Sequence, residues 1–299
     1  MWYIFACIGM LLGAINNILR KKTALNIDTT LALVYQYFWI CVSAIIIGII
    51  YAMRNHVNFL PNLTVIQWLG VLSIGIVWYL GIVFFVYALK KEPAWVVSMV
   101  ANISVFMMFA TNRYLFPQTE SLSLIKIGVS IIFFIIVAWF MFASDHQIHL
   151  NTSLLNKNLL YPIATALCWT YFFVANNYIV KHDLLDPIQT VRVTETAVGI
   201  CALIWYLIRW GNRNQLIQKR YQCGQSWVMV WLGVSGALSG VFFYLAYSTI
   251  SANIVNVIRL FMIIITSVLS RWRLKDYMNR KQIILLIIGM IALIIFVMI

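Results

Sequence analysis

Charged side chains, and acidic ones above all, are scarce in this sequence. Only 10% of its 299 residues are Asp, Glu, Lys or Arg, and just eight are acidic, whereas 63% are hydrophobic. A soluble domain is about 25% charged and about 45–50% apolar, because its surface faces water. No globular core could remove this much apolar surface from water. The composition therefore excludes a soluble protein and predicts that lipid surrounds much of the chain.

Several kinds of chemical site are missing as well. The five cysteines form no CxxC pair and all but Cys223 lie in apolar runs, which gives neither a disulfide framework nor a cysteine zinc site. Asp145, His146 and His149 resemble a metal fragment without a further ligand nearby, so neither a metal nor another cofactor is expected. A Walker A sequence is absent, which argues against nucleotide-driven transport by this chain.

The shortage of acidic groups also argues against an enzyme, the alternative from another functional class. A membrane-embedded enzyme that modifies lipids would need a carboxylate pair, a His/Asp cluster or a nucleophile motif near the interface. The eight acidic residues are not clustered in any apolar run. We therefore predict no catalytic residue.

Long apolar runs are what the sequence has in abundance. A membrane-spanning helix needs roughly 20 mostly apolar residues, and ten runs meet this requirement. They cover residues 2–19, 31–52, 66–89, 94–112, 123–143, 158–180, 188–209, 227–247, 251–270 and 281–299. The sequence therefore predicts an all-α integral membrane protein with ten transmembrane helices.

Three short patterns occur twice, in the same order and about half the chain apart. They pair residues 16–21 with 176–181, 68–71 with 231–234, and 81–88 with 240–246. This repetition predicts a first repeat at 1–145, a connecting loop at 146–157 and a second repeat at 158–299. Because each repeat has an odd number of spans, the two would insert in opposite orientations, as in the inverted repeats of secondary carriers.

The basic residues give the chain a formal net charge of +13. They lie between apolar runs rather than in a basic helix, so nucleic acid is not an expected partner. Most of them, including Arg20, Lys21 and Lys22, fall in the connections that follow the odd-numbered predicted helices. The positive-inside rule makes that side cytoplasmic. We therefore expect a multi-pass protein of the cell (plasma) membrane with both termini outside.

Four sequence landmarks accompany the ten predicted helices: Asn16-Asn17 and the residues at 21–25, 88–90 and 180–187. Together they resemble the drug/metabolite transporter superfamily, EamA type, over nearly the whole chain. The resemblance implies a ten-helix transporter of small molecules. Two features depart from the family pattern. Its usual Gly-Glu-Arg after the fourth helix of each repeat is missing, and its termini usually lie in the cytoplasm.

Charged residues inside predicted helices mark the candidate site, because a charge at bilayer depth costs roughly 2.5 kcal/mol or more. Arg259 lies mid-helix and forms a polar stripe with Asn253 and Asn256 at intervals of three residues. One interpretation is a cationic fork that binds a carboxylate or phosphate. The other is a buried arginine that pairs with Glu195 or with carbonyl groups and holds helices together.

Glu195 is the one carboxylate predicted to lie well inside the membrane, with Arg192 three residues before it on the same helical face. Desolvation favours the neutral form of a carboxyl group, which makes Glu195 a candidate proton carrier. A neighbouring arginine would instead keep it charged as a counter-ion. We therefore assign Glu195 and Arg192 to ion or proton coupling and leave these two roles open.

Further candidates follow from the repeat and from the aromatic residues. In the repeat, Trp95 and Ser98 occupy the positions that correspond to Asn253 and Asn256, and Asn102 extends the same face of that helix. The remaining candidates for substrate contact are Asn17, Asn177, Trp78, Tyr79 and Trp169. The asparagines could equally join helices as packing residues, and the aromatic residues could face lipid or cage a cation.

The function these features favour is secondary transport of a small metabolite by alternating access. Arg259 favours an anionic or zwitterionic solute, with amino acids first. A cationic compound held by Glu195 and an aromatic cage is the alternative substrate, and a passive channel is the alternative mechanism. Because both repeats are fused in one chain, the sequence is compatible with a functional monomer.

Overall fold

A computed structural model describes residues 2–26, 28–115, 157–209, 223–250 and 252–275, together with nine single positions between 128 and 291. The predicted helices at 123–143 and 281–299 lie outside these ranges, apart from the single positions. Residues 146–156 of the predicted connecting loop, the group from Asp145 to His149 and the side chain of Asn253 also lie outside the described part.

The described ranges are built of helices, and no strand occurs in them. A π-helical turn at Ser270–Leu274 continues the last helix. The helices are α1 (Trp2–Asn26), α2 (Thr29–Asn55), α3 (Val65–Lys91), α4 (Ala94–Ala101), α5 (Ile103–Leu115), α6 (Lys157–Lys181), α7 (Pro187–Arg209), α8 (Cys223–Thr249) and α9 (Ala252–Leu269).

Eight segments among the described residues are long and apolar enough to cross a bilayer. One of them, Ala94–Leu115, combines α4 and α5. The eight correspond to the first four predicted helices and to the sixth to ninth, which confirms an all-helical protein with multiple membrane-length helices. The count of ten and the inverted repeat stay predictions.

Side-chain caps explain where several helices begin. The Asp28 carboxylate accepts from the backbone N–H groups of Thr30 (2.8 Å) and Leu31 (3.3 Å), and Asp186 caps α7 in the same way. Thr64 and Gln67 form a reciprocal capping box at the start of α3. Each cap satisfies N–H groups that the first turn of a helix cannot pair internally. The caps therefore fix the helix entries that apolar patterning locates only approximately.

The first helix is longer than predicted, and the assignment of Arg20, Lys21 and Lys22 to a loop was wrong. All three lie within α1, and the Arg20 and Lys21 side chains are buried. The Lys21 ammonium donates to the carbonyl oxygen of Glu92 (3.3 Å), at the end of α3. Neighbouring helices thus supply polar partners that let α1 continue past its apolar part.

The fourth span is not the continuous helix that was predicted. It breaks at Asn102, whose backbone N–H and side-chain Nδ2 both donate to the Ser98 carbonyl, at 3.1 and 2.6 Å. A short polar side chain that bonds the backbone in this way competes with helix continuation. The helix resumes at Ile103. Discontinuous helices of this kind often line transporter binding sites.

The helices pack in two sets of neighbours that meet along α2 and α7. α1 packs along α8 and α9, while α6 packs along α3 and against α4 and α5. α2 contacts both α7 and α8, and α3 contacts α7. Polar and charged side chains from several of these helices converge where the two sets face each other.

Candidate substrate-binding cavity

A cavity of about 90 Å³ lies where the two sets of helices face each other. We call it the central cavity. Its polar walls include Asn16, Asn17, Arg20, Tyr37, Glu195, Ser239, Tyr244 and Arg259. Its aromatic walls include Trp78, Trp169, Phe172, Phe173 and Phe243. Three formal charges and a dense aromatic lining at membrane depth are unusual for a purely structural core, and they mark the cavity as the candidate site.

Arg259 projects into the central cavity from α9 and is 3% exposed. Its guanidinium carbon lies 3.6 Å from the centre of the Phe173 ring and 5.7 Å from the centres of both Trp169 and Phe243. Cation–π attraction of this kind strengthens when the cation is desolvated. The three rings therefore hold the guanidinium in place without using its N–H groups.

A short chain of hydrogen bonds supports Arg259 from behind. The guanidinium donates to the Tyr247 hydroxyl, which in turn donates to the Asn256 Oδ1 atom at 2.7 Å. Nη1 of Arg259 is buried and has no hydrogen-bond partner among the described residues. One face of the guanidinium is thus fixed by the protein, and one N–H-bearing nitrogen is left for another group.

Glu195 enters the same cavity from α7 and is 9% exposed. Its Oε2 atom is buried and also lacks a hydrogen-bond partner in the described part of the chain. Arg259 Nη1 and Glu195 Oε2 are therefore not paired with each other, contrary to one interpretation of the sequence. Each residue has a charged group with one unpaired atom at the wall of the same cavity, as far as the described residues show.

Arg20 is a site residue that the sequence interpretation missed, because it was placed in a loop. It lines the central cavity from α1, and with the Gln36 amide assigned so that its oxygen faces the guanidinium, that oxygen accepts from Nε (3.0 Å) and Nη2 (2.8 Å) of Arg20. A signal existed in the sequence. Gly13, Asn17 and Arg20 recur at helical spacing, so all three face one side of α1.

The second half of the chain identifies the family. The model of the EamA-like transporter family matches residues 156–298, a segment that contains both Glu195 and Arg259. This second half of the chain belongs to the EamA-like transporter family. The resemblance to EamA-type members of the drug/metabolite transporter superfamily is thereby confirmed, and the protein is a membrane transporter of this class.

Structural comparison extends the likeness to the whole chain. A solved structure titled only "Crystal structure of protein" superposes with a TM-score of 0.67 at 13% sequence identity. The match covers 98% of this EamA-family chain and 95% of the other. At this identity the likeness establishes a shared fold alone. Among curated proteins, no sequence matches the chain.

Arg192 does not meet Glu195, although three residues separate them along α7. The Arg192 guanidinium carbon lies 4.0 Å from the centre of the Phe59 ring, outside the walls of the central cavity. A long side chain on a helix extends toward the N-terminal end, which here leads to the α2–α3 connection. The predicted Arg192–Glu195 partnership is therefore not formed in this structure.

Asn17 lines the central cavity and also joins three spans. Its Nδ2 atom donates to the hydroxyls of Ser98 (3.1 Å) and Thr266 (3.4 Å). These bonds connect α1 to α4 and α9. The Asn17 amide thus serves as a packing residue at the edge of the site, and its contact with substrate stays a prediction.

The remaining predicted site residues divide into two groups. Trp78 and Trp169 line the central cavity, and their contact with a ligand stays a prediction. Asn177 lies outside its described walls and donates to Asn112 at 3.5 Å. Four others are buried nearby without lining it, namely Tyr79, Trp95, Ser98 and Asn102, and Asn256 reaches the site through Tyr247.

Proposed function

We propose that this EamA-family protein is a secondary carrier that moves an anionic or zwitterionic metabolite across the cell membrane by alternating access. Amino acids are the first class to test. The observation that carries the proposal is Arg259, a buried guanidinium that lines the central cavity and has one nitrogen without a partner among the described residues. A preformed, desolvated guanidinium binds a carboxylate more strongly than an exposed one does, because water no longer competes.

Equivalent contacts in the two halves support an inverted repeat. Lys21 follows Asn17 by four residues, and Lys181 follows Asn177 by four. Lys21 donates to the carbonyl of Glu92, and Lys181 donates to that of Ile250 at 3.5 Å. Both acceptors lie four residues after an alanine of the paired pattern at 81–88 and 240–246. Matching lysines therefore contact matching carbonyls.

The two lysine contacts lie at opposite ends of the bundle. Lys21 meets Glu92 at the C-terminal end of α3. Leu63 and Gln67, at the other end of α3, line a second crevice together with Leu184. Leu184 lies three residues beyond Lys181, which is the last residue of α6. A helix of this length is about 40 Å long. The lysines are thus suited to close opposite faces of the membrane in turn.

Replacing either lysine should shift the accessibility of the central cavity, in opposite directions for the two sites. A hydrogen bond from a charged donor contributes about 1.5–3 kcal/mol, so each loss should change the balance of open states about 10-fold or more. We expect this for Lys21→Met and Lys181→Met. The measurement is the rate at which a membrane-impermeant maleimide labels Ser239→Cys in a background free of other cysteines.

The exposed neighbour Lys22 provides the matched control, because Lys22→Met removes the same charge from the adjacent position. Its labelling rate should stay close to that of the parent protein. The double variant of Lys21 and Lys181 should return toward the parent rate. Labelling that rises or falls in both single variants alike would contradict the assignment of these contacts to opposite faces.

The substrate class is tested by thermal unfolding of the purified protein in the presence of metabolites grouped by charge. A ligand that binds only the folded state, present at 100 times its Kd, stabilises by about 2.7 kcal/mol. We expect carboxylates, amino acids among them, to raise the unfolding temperature. Stabilisation by cations alone would overturn the proposed class in favour of binding at Glu195 and the aromatic walls.

We also propose, from the distribution of charge, that both termini lie outside the cell membrane. The positive-inside rule counts charges in the short connections near helix ends. Arg20 and Lys21 are buried and no longer contribute to that count. The proposal therefore depends on the basic residues of the remaining connections on the predicted cytoplasmic side.

A further inference from the structure

Five residues that line the central cavity each have a buried polar atom without a hydrogen-bond partner among the described residues. The atoms are Nη1 of Arg259, Oε2 of Glu195, the hydroxyls of Tyr244 and Tyr37, and Nε1 of Trp169. Each of these residues is at least nine-tenths buried. Native proteins leave few buried polar atoms unsatisfied, so a group of five around one space indicates a missing partner.

Three of these atoms, on Arg259, Glu195 and Tyr244, differ in what they can bind. Arg259 Nη1 is a donor with positive charge, the Glu195 oxygen is an acceptor when ionised, and the Tyr244 hydroxyl can donate or accept. Tyr244 lines the same cavity as both charged residues. The cavity thus has a charged donor, a charged acceptor and a hydroxyl on its walls.

We propose that the substrate is a zwitterion, such as an α-amino acid, whose carboxylate binds Arg259 while its ammonium binds Glu195. This inference rests on the proposed carrier function and narrows its substrate class. It gives Glu195 a direct role in holding substrate, in place of proton coupling or a fixed pairing with arginine. The Tyr244 hydroxyl, which has no partner among the described residues, would bind the same substrate from the wall of the cavity.

Arg20 is the other charge that faces this space, and it bears on the choice between a zwitterion and a simple anion. Its guanidinium bonds the Gln36 amide and leaves Glu195 Oε2 unpaired. Two arginines and one glutamate leave a positive excess that would also attract a monoanion. The separate acceptor at Glu195 is what favours the zwitterion, because an anion has no donor to satisfy it.

The test compares three ligands of one shape that differ in charge. They are L-phenylalanine, 3-phenylpropionate, which lacks the ammonium, and L-phenylalanine amide, which lacks the carboxylate. A second series uses L-leucine, 4-methylpentanoate and L-leucine amide. Binding to the full-length purified protein is measured by thermal unfolding and by calorimetry. We expect the amino acid of at least one series to bind about 10-fold or more tightly than either of its analogues.

Glu195→Gln should change this order within the same protein. The amide cannot pair with an ammonium, so binding of the amino acid should fall about 10-fold, and the acid without an ammonium should bind at least as tightly as before. Tyr244→Phe is the second variant. It removes only the hydroxyl, and we expect it to weaken the amino acid several-fold without reversing the order.

The outcomes separate this inference from the carrier function on which it rests. If the acid binds the parent protein as tightly as the amino acid, and Glu195→Gln alters neither, the zwitterion inference is overturned while an anion carrier stands. If no member of either series binds the folded protein, both the inference and amino-acid transport are overturned. Preference for the amides would make the substrate a cation and would also reject the carboxylate site at Arg259.

Discussion

Arg259→Ala is expected to weaken carboxylate binding about 30-fold or more while leaving the unfolding temperature without ligand within a few degrees of the parent value. Truncating one partner of a buried charge pair costs about 2–5 kcal/mol of binding free energy, and each 1.4 kcal/mol is a factor of ten. The unliganded protein should lose little, because one nitrogen of this guanidinium is buried without a partner in the described part of the chain. The measurement is calorimetric binding together with thermal unfolding.

Two comparison variants separate recognition from packing. Arg259→Lys keeps the charge but lacks the planar fork, so it should recover only part of the affinity. Arg273→Ala removes another arginine that stacks on a ring, with its guanidinium carbon 4.1 Å from the centre of the Trp272 ring, at an exposed position. Binding in that variant should match the parent protein. A large fall in stability in Arg259→Ala, with ligand binding retained, would make the residue a packing element instead.

Gly75→Ala is expected to destabilise the fold by about 1–3 kcal/mol, the range found when a packed interior receives extra atoms. A β-carbon added at Gly75 on α3 would lie 2.6 Å from the Ala197 Cβ atom and 3.0 Å from the Ala197 carbonyl carbon on α7. The Ala197 carbonyl carbon is a backbone atom, so it cannot rotate away as the end of a flexible side chain can. Small residues at such crossings allow membrane helices to approach closely. The measurement is thermal or denaturant unfolding in detergent.

Gly70→Ala is the matched control, five residues earlier on the same helix. A β-carbon there meets nothing within 4 Å. Alanine is the better helix former by roughly 0.5–1 kcal/mol, so this variant should be neutral or slightly stabilised. Equal losses of stability in the two variants would show that α3 and α7 do not pack as described at Gly75.

Length and hydrophobicity were enough to predict most of the membrane architecture. Eight of the ten predicted spans correspond to helices of the described chain, because roughly 20 apolar residues in a row have few alternatives to crossing a bilayer. Arg259 was also predictable, since a charge in the middle of a span calls for a polar environment. Its burial in the central cavity agrees with that reasoning.

The polar ends of helices were harder to predict, because their partners come from other parts of the chain. Arg20 looks like a loop residue until Gln36, sixteen residues later, is known to accept its hydrogen bonds. α1 continues through Lys21 because the backbone carbonyl of Glu92, far away in the sequence, accepts a hydrogen bond from the lysine ammonium. A hydropathy scale compares the free energy of a residue in lipid with that in water, so it contains no information about such tertiary partners.

Local competition within the backbone was a second source of error. Asn102 interrupts its span by bonding the carbonyl of Ser98, a choice that apolar patterning does not register. Helical spacing also suggested that Arg192 and Glu195 would act together. In the structure they are apart, because the long arginine side chain reaches Phe59 at the helix end while the glutamate lines the central cavity.

Counterflow in proteoliposomes tests the central claim most directly. Vesicles containing the purified protein are loaded with an excess of the unlabelled amino acid that most stabilises it, and uptake of a trace of labelled amino acid is followed. An alternating-access carrier should accumulate the label transiently above its equilibrium level, and Arg259→Ala should abolish the overshoot. Label that only equilibrates, without an overshoot, would contradict the carrier mechanism and indicate a passive channel.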